Sequence, residues 1–211
     1  MRPDVVVVGA GIIGAACAQA LTARGLDVVV IDRRGPASGT SAAGEGNVLV
    51  SDKEPGPELE LAKASRALWP ELAGDSEWEE KGGLVVATTA EASAPLKAFA
   101  AEQRAAGIDA CELTAAEALA QEPNLNPEIT AAVHYLQDAQ LNPVKATKAL
   151  LRGIKVIGAE VSTTDGRSVT TPDGVISCGA VVNAAGPWAR HFGVNVLPRR
   201  GVVLVTTPIP G

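Results

Sequence analysis

The stretch Asp4–Gly14, DVVVVGAGIIG, constrains this chain more than any other. Val5 to Val8 form an apolar run without alternation, which suits a strand buried on both faces of a parallel sheet covered by helices. Gly9, Gly11 and Gly14 follow, and Ile12 to Arg24 reads as a helix stopped by Gly25. Val28 to Ile31 reads as a second buried strand, so the segment predicts a βαβ unit with a right-handed crossover. In such a unit the first glycine permits a tight turn, the second lets backbone approach a pyrophosphate, and the third lets helix and strand pack closely. The helix N-terminus adds N–H groups and the positive end of its dipole. Asp32, ending the second strand, is placed to accept hydrogen bonds from ribose hydroxyls. Glycines alone would make only a tight turn; strand, glycines, helix, strand and terminal acid in this order point to dinucleotide binding. NAD, NADP and FAD all use this unit. Arg33 and Arg34 could meet a 2′-phosphate, but arginines after a strand are more often solvated, and they decide nothing.

Composition narrows the class. A net charge of −6, a pI near 5.0 and the lack of a Lys/Arg cluster argue against a nucleic-acid partner. Cys17, Cys111 and Cys178 are too far apart for a disulfide framework or a metal-ligand pattern, so they are expected as buried thiols in a reducing compartment, with no metal. Arg2 before an apolar run ending in CAQA resembles a secretory leader, but Asp4, the glycines and the following LDVVVID oppose that reading. No run reaches the length of a transmembrane segment.

Further along, Leu59, Ala62, Leu68 and Leu72 suggest an amphipathic helix after Pro57. GGLVVAT reads as a strand, EASAPLKAFAAEQRAAG and TAAEALAQEP as helices, the second opened by a Thr114/Glu117 capping box. ITAAVHYL reads as a strand and NPVKATKALL as a helix opened by Asn142 and Pro143. IKVIGAEV, GRSVTTPDGVIS and GAVVNAAG read as strands, with Asp173-Gly174 as a hairpin signal.

Two segments bear on which dinucleotide is held. GPASGTSAAGEGN offers the Thr40 and Ser41 hydroxyls and small residues past which an extended cofactor can lie; a simple NAD domain does not need it. VVNAAGPWA is a buried strand, Ala180 to Asn183, ending in small residues and Gly186. With VVVVGAGIIGAACAQALTARGLDVVVID, AQLNPVKATKALL and LPRRGVVLVTTP, these segments resemble the FAD-dependent amino-acid oxidoreductases of the D-amino-acid oxidase family, which includes D-amino-acid dehydrogenases and glycine and sarcosine oxidases. The resemblance runs along most of the chain. It implies a Rossmann-like α/β FAD-binding domain with part of an α+β substrate domain built on an antiparallel sheet.

At matching positions, Gly9, Gly11 and Gly14, with Ile12 and Ile13 between them, would bind the FAD pyrophosphate, Asp32 would hold the adenosine ribose, and Arg33 or Arg34 would lie by adenine. Thr40, Ser41 and Ala42 would line the pyrophosphate, and Glu45, Gly46 and Asn47 would approach the flavin by backbone. Val161 matches a strand residue whose backbone contacts adenine; Ala184, Ala185, Gly186 and Trp188 match a second contact near the diphosphate. The implied reaction moves a hydride from the carbon bearing a substrate amine to the flavin, giving an imine that water hydrolyses. No side-chain base is required if the amine arrives neutral, and the resemblance names no catalytic residue here.

The family's chains are longer, and its substrate-clamping arginine lies beyond the matched part. LLRGIKVIG, TTDGRSVTTPDG and ARHFGVNVLPRRG are also short joints, so an incomplete chain or absent segments are expected. His134 and Tyr135 alternate along a strand and are expected to be packed or at the surface; His191 is expected exposed, Cys17 packed, and Arg199 and Arg200 in an ion pair. The expected domains are 1–81 and 152–198 for FAD, 82–151 for substrate, and 199–211 as a returning substrate-domain strand. The alternatives are an NAD(P)-linked oxidoreductase and a non-catalytic FAD-binding subunit needing a partner chain. The substrate is expected to be a small amine or amino acid, of D-amino-acid, glycine or proline type. The expected setting is cytoplasmic, as a homo-oligomer or with a partner subunit, and peripheral to a membrane if electrons go to a quinone.

Overall fold

The computed structural model describes residues 2–72, 74–205 and 207. In chain order its elements begin with β1 (Val5–Val8), α1 (Ile12–Thr22), β2 (Val28–Asp32), a 3-10 turn at Thr40–Ala43 and β3 (Asn47–Val48). Then come α2 (Pro57–Leu72), β4 (Gly83–Ala87), α3 (Ala90–Ala105), β5 (Ala110–Leu113), α4 (Ala115–Gln121), β6 (Ala131–Tyr135) and β7 (Ala139–Gln140). The remainder is α5 (Pro143–Leu150), β8 (Lys155–Gly158), β9 (Thr163–Thr164), β10 (Ser168–Thr171), β11 (Gly174–Ser177), β12 (Ala180–Asn183) and a 3-10 segment at Gly186–Phe192. No helix among the described residues is long and apolar enough to cross a membrane.

The chain divides into two compact units, one of Met1–Glu45, Leu72–Ser76 and Asn142–Gly211, the other of Gly46–Glu71 and Glu77–Leu141. These limits differ from the boundaries at 81 and 151 read from the sequence, and packing explains both shifts. β3 pairs with β7, and Leu59 of α2 is buried in the second unit's core, so residues 46–71 go with that unit. α5 packs on α1, so it goes with the first. Within the expected strand at 199–211, Arg199–Val205 form no strand and fall in the first unit. Residues 206 and 208–211 lie outside the described residues.

The first unit is an α/β layer structure built on a parallel sheet in the order β12-β1-β2-β8. Val5 pairs with Val28 on one side and Ala180 on the other, so all four strands end at the same edge of the sheet. Gly25, at φ +82°, ends α1 where its N–H donates to Thr22 O at 2.8 Å. Successive side chains point to opposite faces of a strand. One face meets α1 through its buried Ala15 and Ala18. Val6, Val8, Val29 and Ile31 project from the other and pack with Val169 and Cys178. That cover is the antiparallel sheet β11-β10-β9, not the helices expected for a parallel sheet. The β10–β11 hairpin pairs Thr171 with Gly174, leaving Pro172 and Asp173 as its loop.

The second unit carries the antiparallel sheet β4-β6-β5. Val133 and Tyr135 of β6 pack into a core with Leu59, Ala100 and Ile108, while Ala132 faces a smaller core with Ala118 and Ile129. α4 has the expected capping box: Thr114 Oγ1 accepts from Glu117 N–H at 3.2 Å, and the Glu117 carboxylate accepts from Thr114 N–H at 2.8 Å. The Thr114 N–H and, next, the Thr114 hydroxyl, which donates to the same carboxylate at 2.7 Å, favour its charged form and hold its pKa below the ordinary range. Leu68, expected on the buried face of α2, is 56% exposed, because α2 turns only Leu59 fully inward.

Candidate functional site

The carboxyl ends of the parallel strands open into a cavity of about 950 Å³, lined entirely by the first unit. Crevices at this edge are where open α/β sheets take ligands. The glycine turn forms its floor. Gly9 has φ +109°, a conformation disfavoured for any other residue, and a Cβ there would strike the Ala184 carbonyl oxygen at the end of β12. A Cβ on Gly14 would strike the Gly9 carbonyl oxygen. A Cβ on Gly11, by contrast, would have only Ser41 Oγ near it, at 3.1 Å. Gly9 and Gly14 thus let protein pack on protein, whereas Gly11 keeps the cavity wall low. Gly11 and Gly9 line the cavity, and Gly14, packed against the Gly9 carbonyl, is outside its lining.

Asp32 and Ser41 hold this turn from outside it. Asp32 Oδ2 accepts from Ala10 N–H at 2.9 Å, and Oδ1 accepts from Arg34 and Gly35 N–H at 2.8 and 2.9 Å. The carboxylate expected to serve a ribose therefore also ties β2 to the glycine turn, and it still lines the cavity. Gly11, the N-cap of α1, has no side chain to cap the helix. Ser41 supplies the cap from 29 residues away, its Oγ accepting from Ile12 N–H at 2.9 Å. The first turn of α1 carries no acidic residue, so nothing there opposes an anion at the positive end of the helix dipole.

At the other side of the cavity, Arg33 lies with its guanidinium carbon 4.3 Å from the centre of the Trp188 ring and its Nη1 3.5 Å from Glu160 Oε1. Asn183 shapes the turn that presents Trp188: its Nδ2 donates to Ala189 O at 3.0 Å and its Oδ1 accepts from Ala185 N–H at 3.3 Å.

Of the residues singled out in the sequence, Ile12, Ile13, Arg33, Arg34, Thr40 and Ser41 line this cavity together with Gly9, Gly11 and Asp32. Ala184, Ala185, Gly186 and Trp188 do so from the β12 side. Val161 also lines it, but from a loop: β8 ends at Gly158, so Val161 is not the strand residue expected. Ala42 and Glu45 are not in the lining, and Gly46 and Asn47 belong to the second unit. Glu160, not singled out in the sequence, and His191, expected only to be exposed, are also in the lining. His191 is exposed, as expected, and its position two residues past Ala189 in the 3-10 segment was the available signal. Tyr135 is fully buried, its hydroxyl donating to Gln103 Oε1 at 2.7 Å, while His134 is half-buried.

The chain matches the family described as FAD dependent oxidoreductase over residues 4–211. It belongs to that family. Membership decides among the dinucleotides the glycine turn leaves open, in favour of FAD. Glycine oxidase of Geobacillus kaustophilus is 33% identical over 238 residues, covering 99% of this chain and 63% of the relative. A solved structure of glycine oxidase from Geobacillus kaustophilus superposes with a TM-score of 0.84 at 31% identity, over 91% of this chain and 57% of that one. Hydrogen cyanide synthase subunit HcnC of Pseudomonas protegens is 27% identical, over 98% of this chain and 65% of the relative. L-proline dehydrogenase from P. horikoshii superposes with a TM-score of 0.82 at 27% identity, over 90% of this chain and 55% of that one. The chain thus spans about three-fifths of the length of these relatives. The 238-residue match to glycine oxidase is longer than the 211 residues of this chain, so the relative carries extra residues within the matched span.

Proposed function

We propose that this chain carries the FAD-binding part, with a portion of the substrate domain, of an enzyme that oxidises an amine or amino acid of glycine, proline or D-amino-acid type. The observation that carries the reading is the floor of the cavity: a turn stripped of side chains at Gly11, beside a helix start capped from outside by Ser41. This donor set fits a dinucleotide diphosphate. The Ser41 oxygen accepts from Ile12 N–H, which leaves its hydroxyl proton for a phosphate oxygen. Gly11 lets backbone N–H groups approach the same oxygens, and the α1 dipole favours their charge. Asp32 Oδ2, which accepts one backbone bond while Oδ1 accepts two, keeps a lone pair for a ribose hydroxyl. Ala184, Ala185 and Gly186 bring a second run of small residues to the diphosphate, and Val161 lies towards the adenine. In this reading Ala42, Glu45, Gly46 and Asn47 serve the pyrophosphate and flavin outside the described cavity.

When bound, FAD supplies the acceptor for the hydride and its electrons. The chain's own residues bind and orient it. The first unit is the FAD-binding domain, and the second belongs to the substrate domain. The substrate class is supported by the names of two similar proteins, glycine oxidase and L-proline dehydrogenase. The free thiols Cys17, Cys111 and Cys178 suit a cytoplasmic setting. A second reading, an FAD-binding subunit that acts only with a partner chain, is favoured by the similarity to a protein named as a synthase subunit.

Anaerobic mixing of the purified yellow protein with single amino acids separates the two. Bleaching of the flavin bands by glycine, proline or a D-amino acid supports the first reading. A flavin that none of them bleaches overturns it and leaves the subunit reading.

A further inference from the structure

Arg33, Trp188 and Glu160 come from three different strand ends, and their arrangement has no counterpart in the assignments above. In the strand order β12-β1-β2-β8, Trp188 follows one edge strand, Glu160 follows the other, and Arg33 follows β2 between them. The glycine turn follows β1, which lies between β12 and β2. To place its guanidinium 4.3 Å from the Trp188 ring centre, Arg33 must reach past the end of β1. Its ion pair with Glu160, at 3.5 Å, continues the connection to the far edge. All three residues line the one cavity.

We propose that Trp188, Arg33 and Glu160 form a latch across the cavity that retains the bound dinucleotide. The proposal rests on the FAD-binding reading and deepens it. Arg33 acts here as the middle member of a span between two loops, not as a ligand for a 2′-phosphate. A guanidinium over an indole face is held by the ring's quadrupole, and planar Arg suits this better than Lys. Glu160 is 65% exposed at its side chain, so its pairing is screened and adds less than the ring does. The latch slows release: a dinucleotide lying over the strand ends leaves when the Arg33–Trp188 contact opens.

The test is the rate at which FAD leaves the loaded protein, followed by recovery of flavin fluorescence after dilution. Trp188→Leu and Arg33→Met are each expected to speed release about tenfold, and Glu160→Gln about twofold. Trp188→Leu/Arg33→Met is expected to release no faster than either single variant, because one contact is removed once. Arg33→Lys is expected to fall between wild type and Arg33→Met. Additive single-variant effects, or release at the wild-type rate from FAD-loaded variants, would overturn the latch alone. A wild-type protein that holds no FAD would overturn the binding reading and the latch with it. If Trp188→Leu does not fold, Arg33→Met with Glu160→Gln answers the same question: unchanged release from both overturns the latch.

Discussion

The two units of this chain solve the same problem, fixing irregular backbone in place, by different means. In the first, the irregular backbone is the glycine turn, and it is fixed largely by what is absent. Side chains are missing at Gly9 and Gly14, so that Ala184 and the turn's own carbonyl can close in. In the second, the irregular backbone is the segment around Val50–Lys53, and it is fixed by buried polar side chains. Gln103 Nε2 donates to the carbonyls of Val50, Ser51 and Lys53 at 3.2, 3.1 and 2.9 Å, and Tyr135 donates to Gln103 Oε1. Asp138, 1% exposed, accepts from Val50 and Ser51 N–H at 2.8 and 3.2 Å. Burial, reinforced by the Asp138 charge, pushes the Tyr135 phenol pKa up, so it stays a donor. Stripping side chains leaves a surface that a cofactor backbone can approach. Filling a core with satisfied polar groups leaves a rigid segment and no opening.

This contrast can be broken most sharply at Gly9. Gly9→Ala combines a left-handed backbone with a collision against Ala184, and is expected to cost roughly 3 kcal/mol of stability and to abolish FAD retention. Denaturant unfolding and the flavin absorbance of the purified variant read both effects; a stable, yellow Gly9→Ala protein would refute the packing role assigned to this position. Tyr135→Phe, in the second unit, leaves Gln103 Oε1 buried without its donor and is expected to cost about 1–3 kcal/mol while leaving FAD affinity unchanged. A loss of FAD affinity without loss of stability would reverse the roles of the two regions.

Ser41→Ala is expected to cost about 1 kcal/mol through the lost helix cap and to weaken FAD binding about tenfold through the lost hydroxyl. Loss of stability alone would make Ser41 purely structural. The smallest effect lies at Thr114. Because the Glu117 pKa is lowered in the folded state, its contribution is fully present above the ordinary carboxylate range and fades as pH falls through the folded value. Thr114→Ala is expected to flatten that acid limb of the melting temperature slightly, with no change in FAD content. An unaltered acid limb would show that the Thr114 hydroxyl contributes nothing measurable.

The same contrast governs what the sequence made legible. The β1–α1–β2 unit, Gly9, Gly11 and Asp32 could be read because their signals are local and their spacing is set by one strand, one turn and one helix. Thr114 with Glu117, and Asn142 with Pro143, were legible for the same reason. β5 and β7 were not, being four and two residues long and defined by strands distant in sequence. Asp138 and Gln103 were illegible because the groups they satisfy lie about 50 to 90 residues away. Ser41 was read as a ligand for phosphate; its capping of Ile12 could not be inferred from a stretch 29 residues removed. The cover over Val6, Val8, Val29 and Ile31 was read as helical because an apolar strand records burial but not what buries it.

In the proposed reading the first unit's cavity holds the adenosine diphosphate half of FAD. Equilibrium binding of FAD to the flavin-stripped protein, in competition with ADP and with FMN, tests it most directly. One equivalent of FAD is expected, displaced by ADP and not by FMN, because in the proposed reading the glycine turn, Ser41 and Asp32 address the diphosphate and ribose and not the flavin. Displacement by FMN as readily as by ADP, or no FAD bound at all, would contradict it.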